Sequence, residues 1–201
     1  MNITTAFFMP CLRVLERLGL VLLAVWLSVA ALPAQASRSA DSVTVLYAML
    51  KTVENDLALN AAMTVRLNKT QEEALKKGLS LNFVTDFELE RKRSWWLNES
   101  LVSLSRPGRL SYNLLTRRYQ IESTESYKTY DTLPEALADL GRIDTWIVGP
   151  KKLFRPGERY HAALRIRLDQ GQLPIPLQIN ALASGKWEIE SDWHEWEIAS
   201  P

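Results

Sequence analysis

The run Leu81-Asn82-Phe83-Val84-Thr85-Asp86-Phe87-Glu88-Leu89-Glu90-Arg91-Lys92-Arg93-Ser94-Trp95-Trp96 carries the clearest periodicity in the chain. Leu81, Phe83, Thr85, Phe87 and Leu89 share one parity, while Asn82, Asp86, Glu88, Glu90 and Lys92 share the other. Successive side chains of a strand point to opposite faces, so this alternation predicts a half-buried strand, with Val84 as the apolar exception on the wet face. The end of the run admits two readings. Three basic residues leading into two tryptophans resemble a groove that grips phosphates and stacks bases. The plainer reading is a strand whose charges face water: Glu88, Glu90 and Lys92 on one face, Arg91 and Arg93 on the other near its end. The plainer reading is preferred.

The rest of the chain supports a β architecture. Val43–Val53 and Ala58–Leu67 read as strands separated by Glu54-Asn55-Asp56. Glu99–Ser105 and Arg109–Leu115 flank Arg106-Pro107-Gly108, which predicts a turn between paired strands. Arg117–Ser123 and Ser126–Asp131 are two further short strands. Tyr160, Ala162, Leu164, Ile166 and Leu168 alternate with His161, Ala163, Arg165, Arg167 and Asp169, after a turn at Arg155-Pro156-Gly157-Glu158. Arg165 and Arg167 are then candidate cross-strand partners for Glu88 and Glu90, a pairing that contributes about 0.2–1 kcal/mol each.

Two short helices are expected. Thr70 with Glu73 forms a capping box, lysines close the last turn and Gly78 suits a left-handed stop. Thr132 caps a second helix with Pro134 and Glu135 in its first turn and Gly141 at its end. Leu173-Pro174-Ile175-Pro176 is expected as an edge or loop, because proline cannot donate to a ladder. Gln178–Leu182 and Trp187–Ile198 close the chain. The expected fold is therefore mainly β: one antiparallel two-layer sandwich or strongly curved sheet with two short helices.

The N-terminus predicts export. Arg13 and Arg17 precede an uncharged apolar run over residues 18–32, followed by Pro33 and the small-residue site Ala34-x-Ala36. Residues 1–36 are expected as a signal peptide, cleaved after Ala36, or as an N-terminal anchor if uncleaved. The run is shorter than the roughly 20 apolar residues that a spanning helix needs. The single β-rich domain would then occupy residues 37–201. Cys11, the only cysteine, lies in the leader, so no disulfide framework is expected. The chain holds 24 basic and 23 acidic residues, and losing Arg13, Arg17 and Glu16 leaves equal numbers. A neutral chain argues against a polyanion binder, and no nucleic acid is expected as partner.

Material for catalysis is thin. Asp192 and His194 share a strand face in Asp192-Trp193-His194-Glu195-Trp196, which could orient an imidazole or, with outside help, hold zinc. No nucleophile elbow, zinc helix, phosphate loop or dinucleotide glycine pattern is present. No enzyme activity, metal or cofactor is expected. The tryptophans carry more interest. Trp95 with Trp96, and Trp193 with Trp196, straddle both faces of their segments, so the four cannot all enter one core. Exposed indoles stack on sugars or anchor protein partners, whereas buried ones plug the ends of a sandwich.

Several of these residues carry a resemblance. Asp86-Phe87-Glu88-Leu89 with Arg93 and Trp95-Trp96, then Leu110-Ser111-Tyr112-Asn113-Leu114-Leu115-Thr116-Arg117-Arg118-Tyr119, resemble the DUF4390 domain proteins, an uncharacterised proteobacterial family. Pro156-Gly157-Glu158-x-Tyr160, Leu164-Arg165-Ile166-Arg167-Leu168-Asp169, the segment from Gln172 to Leu182 and Ser191-Asp192-Trp193-x-x-Trp196 extend it over nearly all of the mature chain. Ile175 stands where similar proteins read lysine between the prolines, so no role for a lysine there carries over. The resemblance supplies no activity. Genes of similar proteins often lie beside one for a membrane sensor kinase of the nitrogen-regulation type, which implies a periplasmic accessory to a signalling or envelope process.

The functional expectation is a non-enzymatic, exported, periplasmic domain binding a protein or envelope component, with an envelope protein or membrane sensor kinase as partner. Candidate binding residues are Trp95, Trp96, Trp193, Trp196, Arg165 and Arg167. The alternative is a glycan-binding or glycan-acting envelope protein that uses the tryptophans with Asp86, Glu88 or Asp192. A third reading is a metal-dependent hydrolase built on His194 and Asp192. Contact with a membrane is expected only through residues 18–32, if uncleaved.

Overall fold

Strand β3 (Leu81–Arg91) forms where the alternation predicts it, and it lies between β4 (Glu99–Asn113) and β8 (Arg159–Leu168), antiparallel to both. The computed structural model describes residues 42–93, 98–124 and 126–199. Residues 1–36, expected as a signal peptide or anchor, and Trp95 and Trp96 lie outside them. Nine strands make two antiparallel sheets among the described residues. The larger runs β6-β5-β4-β3-β8-β9, with β5 at Arg118–Ser123, β6 at Tyr127–Tyr130 and β9 at His194–Ala199. The smaller runs β1-β2-β7, with β1 at Val43–Val53, β2 at Asp56–Val65 and β7 at Arg142–Pro150.

The core lies between the sheets, and period two selects its members. Leu57, Leu59, Ala61, Met63 and Val65 of β2 face Leu81, Phe83, Phe87 and Leu89 of β3 and Tyr160, Ala162, Leu164, Ile166 and Leu168 of β8 in one buried cluster. Phe87 anchors it, with its ring 6.2 Å from Trp146 and 6.4 Å from Trp196. Both indoles are half-buried and pack against this core.

Helix α1 (Lys69–Lys76) takes its cap from Asn68, not Thr70. The Asn68 side chain accepts from the Gln71 amide at 3.0 Å, and the Gln71 side chain accepts from the Asn68 amide at 2.9 Å. The capping box is thus shifted two residues back, because Asn68 is as good a cap as threonine and its partner Gln71 is buried. Helix α2 (Leu133–Leu140) begins as expected, with Thr132 accepting from the Glu135 amide at 3.4 Å. A third helix, α3 (Ile175–Ser184), replaces the loop or edge expected around the two prolines. Pro176 sits in its first turn, where a missing N–H leaves no helical bond unmade.

Arg106-Pro107-Gly108 is not a turn. β4 runs through it unbroken, with Pro107 opposite Val84 of β3. β5 covers the other side of β4 only from Gly108 onward. Proline therefore falls where that side of the strand is open, the one place a sheet accepts it. Real turns occur at Glu54-Asn55 and at Pro156-Gly157, where Gly157 has φ 78°.

One glycine is fixed by close approach. Gly141, where α2 passes into β7, accepts from the Met63 amide at 2.7 Å, and a Cβ there would collide with the Met63 carbonyl. Gly141→Ala should lower stability by about 3 kcal/mol, read as a drop in the denaturation midpoint. Gly157→Ala, with nothing within 4 Å of the added carbon, tests φ strain alone and should cost about 1 kcal/mol.

Candidate functional site

The β3–β8 register places Asp86 opposite Arg165 and Val84 opposite Arg167, on the face of the large sheet turned away from the core. β3 and β8 are neighbours, as expected, but the partner of both arginines is Asp86; Glu88 and Glu90 stand opposite Ala163 and His161. The strand pattern had set the face correctly and the register two to four residues off. Asp86 Oδ1 accepts from the Ser105 hydroxyl at 2.7 Å. Oδ2 accepts from Arg165 Nε at 3.1 Å and Arg167 Nε at 3.0 Å. Arg165 Nη1 donates to Glu190 at 2.8 Å, and its guanidinium lies 4.4 Å over the Trp193 ring.

This network brings together three of the residues singled out from sequence: Arg165, Arg167 and Trp193. Burial pushes the Asp86 carboxyl up, but the Ser105 hydroxyl and the Arg167 and Arg165 guanidinia outweigh it and hold the group below its ordinary value of 3.8. Two carboxylates offset two guanidinia, and the exposed indole face is covered by a cation. The arrangement is an internally satisfied clamp across three strands rather than an open receptor. Trp196 is elsewhere, packed against Phe87 on the core side. The described tryptophans therefore line no common cleft.

The histidines do not converge on a reactive centre. His161 Nε2 lies 3.5 Å from Glu195, and its buried Nδ1 has no hydrogen-bond partner among the described residues. The His194 ring lies 5.7 Å from Trp196. Asp192 is exposed. Among the described residues no three His, Cys, Asp or Glu side chains meet in a set that could hold a metal.

Two features lay beyond the sequence reading. The first is at the end of β3. Arg91, on the core parity, is only 7 % exposed, so it is not part of a solvated face. It donates to Glu99 at 3.0 Å and to Glu158 at 3.0 Å. Arg93 also bonds Glu99, and Lys92 bonds Glu197. Arg91, Lys92, Arg93 and Glu158 border an open cleft of about 640 Å³ together with Arg155 and Arg159. The signal was available: a charged residue on an apolar parity needs buried partners.

The second feature is the free side of β1. Among the described residues it has β2 as its only neighbour in the sheet. The register places Tyr47, Met49 and Val53 on one face and Ala48 and Leu50 on the other, and a bulge between Val45 and Tyr47 pushes out Leu46, 63 % exposed. Tyr47, Met49 and Val53 are exposed as well. Apolar residues on both parities at an edge were the sequence sign of this strand.

Fold and site together define an antiparallel β sandwich with a charge-clamped outer face. The chain belongs to the family described as "Domain of unknown function (DUF4390)", whose model matches residues 40–197. No curated protein and no solved structure matches it. Among the described residues, no helix is long and apolar enough to cross a membrane.

The clamp has a measurable acid signature. A carboxyl whose folded value is depressed adds stability above its ordinary range and loses it as pH falls through the folded value. Asp86→Ala should cost about 2–3 kcal/mol near neutrality, and Arg167→Ala, its side chain 34 % exposed, under about 1 kcal/mol. Denaturant titrations should show the gap between wild type and Asp86→Asn closing below about pH 4.

Proposed function

We propose that the chain is a non-enzymatic, exported domain that binds an envelope protein, and that the strand that does so is β1. A periplasmic segment of a membrane sensor kinase is one partner of this kind. The observation that carries the reading is the unpaired edge of β1: eleven residues, one charged side chain (Lys51) and no proline. A row of open backbone N–H and C=O groups flanked by apolar side chains is the geometry that accepts an extended segment as an added strand.

The other edges support the choice by contrast. β6 has four residues and carries Lys128; β9 has six and carries Glu195 and Glu197; β7 has two register shifts and ends in Gly149-Pro150. Each bears features that discourage strand addition. β1 does not. The occupied indole of Trp193 and the packing of Trp196 against Phe87 take from the glycan reading the two described tryptophans on which it drew.

Photo-crosslinking in cells tests this. A crosslinking side chain at Leu46 should yield a protein adduct, whereas one at Leu115, 95 % exposed on the β4–β5 turn, should not. Met49→Lys should abolish the adduct, and β1 amides should exchange more slowly in the complex. Partner binding without protection of β1 removes the reading. A concentration-dependent dimer protected at β1 would give the edge to a second copy instead and overturn it as well.

A further inference from the structure

The run Arg91-Lys92-Arg93 is not absorbed by a partner-binding edge at β1, and its surroundings differ from the clamp on the sheet face. Around the clamp, charges cancel. Around the cleft at the end of β3, five cations (Arg91, Lys92, Arg93, Arg155 and Arg159) face three carboxylates (Glu99, Glu158 and Glu197). Glu99 is shared by Arg91 and Arg93, Glu158 is bonded by Arg91, and Glu197 is bonded by Lys92. Arg155 and Arg159 have no carboxylate at ion-pair distance among the described residues; Arg159 acts on Glu197 only through space. Both side chains are exposed.

We propose that this cleft is a binding site for a phosphate-bearing group of two negative charges. The local surplus of two positive charges matches such a dianion. The unspent donors are guanidinia, whose planar forks fit phosphate oxygens in pairs. Arg91, buried and held by Glu99 and Glu158, makes a rigid floor, so the site keeps its shape when empty. Arg155 and Arg159 flank the tight turn at Pro156-Gly157, which fixes the spacing of their backbones. At about 640 Å³ and open to solvent, the cleft admits a phosphate carried on a larger body. A polynucleotide is the wrong occupant, because it would need a basic track beyond one cleft and the chain as a whole is close to neutral. A soluble phosphate ester and the phosphomonoester of an envelope lipid present the same chemistry.

Calorimetric titration with pyrophosphate and sedimentation with phosphatidylcholine vesicles, with and without phosphatidic acid, separate the two sources. Saturable binding to pyrophosphate alone assigns a soluble ligand. Binding to the phosphatidic acid vesicles, with or without pyrophosphate, assigns a lipid. In either case the double variant Arg155→Gln, Arg159→Gln should weaken binding about tenfold or more, as loss of charge-assisted bonds requires. Lys76→Gln with Lys77→Gln, exposed on and just after α1, should leave it within about twofold. Unchanged thermal midpoints in both variants show that each folds, as exposed side chains allow. Binding to neither probe overturns the proposal, and so does an equal loss in the two double variants. Neither outcome bears on β1, whose amides are read separately.

Discussion

Asp86 ties β3 to both of its neighbours at one register. A strand that slips by one residue turns its apolar side chains to water, so burial forbids that error strongly. A slip by two keeps every apolar residue facing inward, and the alternation of Leu81 to Leu89 cannot tell the two registers apart. Asp86 can. Its two oxygens are shared among Ser105 of β4 and Arg165 and Arg167 of β8. Moved by two toward one end of β8, it would face Ala163 and leave a buried carboxylate short of donors, at a cost of several kcal/mol. The apolar pattern chooses the face, and the ionic clamp chooses the register.

That division explains which parts of the molecule could be read in advance. Faces were legible: the core parities of β3 and β8, the caps of α2 and the turn at Pro156-Gly157 follow from period, propensity and turn chemistry. Register was not, because Glu88 and Glu90 share the parity of Asp86 and only burial distinguishes them. The prolines misled in both directions for one reason. Proline forbids a backbone N–H, and whether that matters depends on what lies beside it. Pro107 fits a strand because β5 stops at Gly108, and Pro176 fits a helix because it falls in the first turn. Neither neighbour is visible in the local sequence.

Trp193 and Trp196 show the same limit at the candidate site. Three residues apart, they divide between the two faces of the large sheet, and each finds a different partner: a guanidinium outside and Phe87 inside. Abundance of tryptophan is thus no measure of open aromatic surface. What distinguishes surfaces here is the state of their backbone edges. β6 and β9 are short and charged and β7 is bulged twice, while β1, with one bulge and one lysine, is the longest and most apolar of the four edges and belongs to the smaller sheet.

Charge obeys a similar locality. The near-zero balance of the whole chain sets its long-range field, and that field offers little pull on a partner that must be drawn by many phosphates at once. It sets nothing within a Debye length, about 8–10 Å at physiological ionic strength. On that scale the Asp86 clamp is neutral, two carboxylates to two arginines, while the end of β3 keeps two cations more than its acids can offset. Buried Arg91 takes Glu158 and shares Glu99 with Arg93, and Lys92 takes Glu197, so no carboxylate is left at ion-pair distance for Arg155 and Arg159 among the described residues. A buried cation must be satisfied first, and the exposed ones around it are left available to an anion from outside.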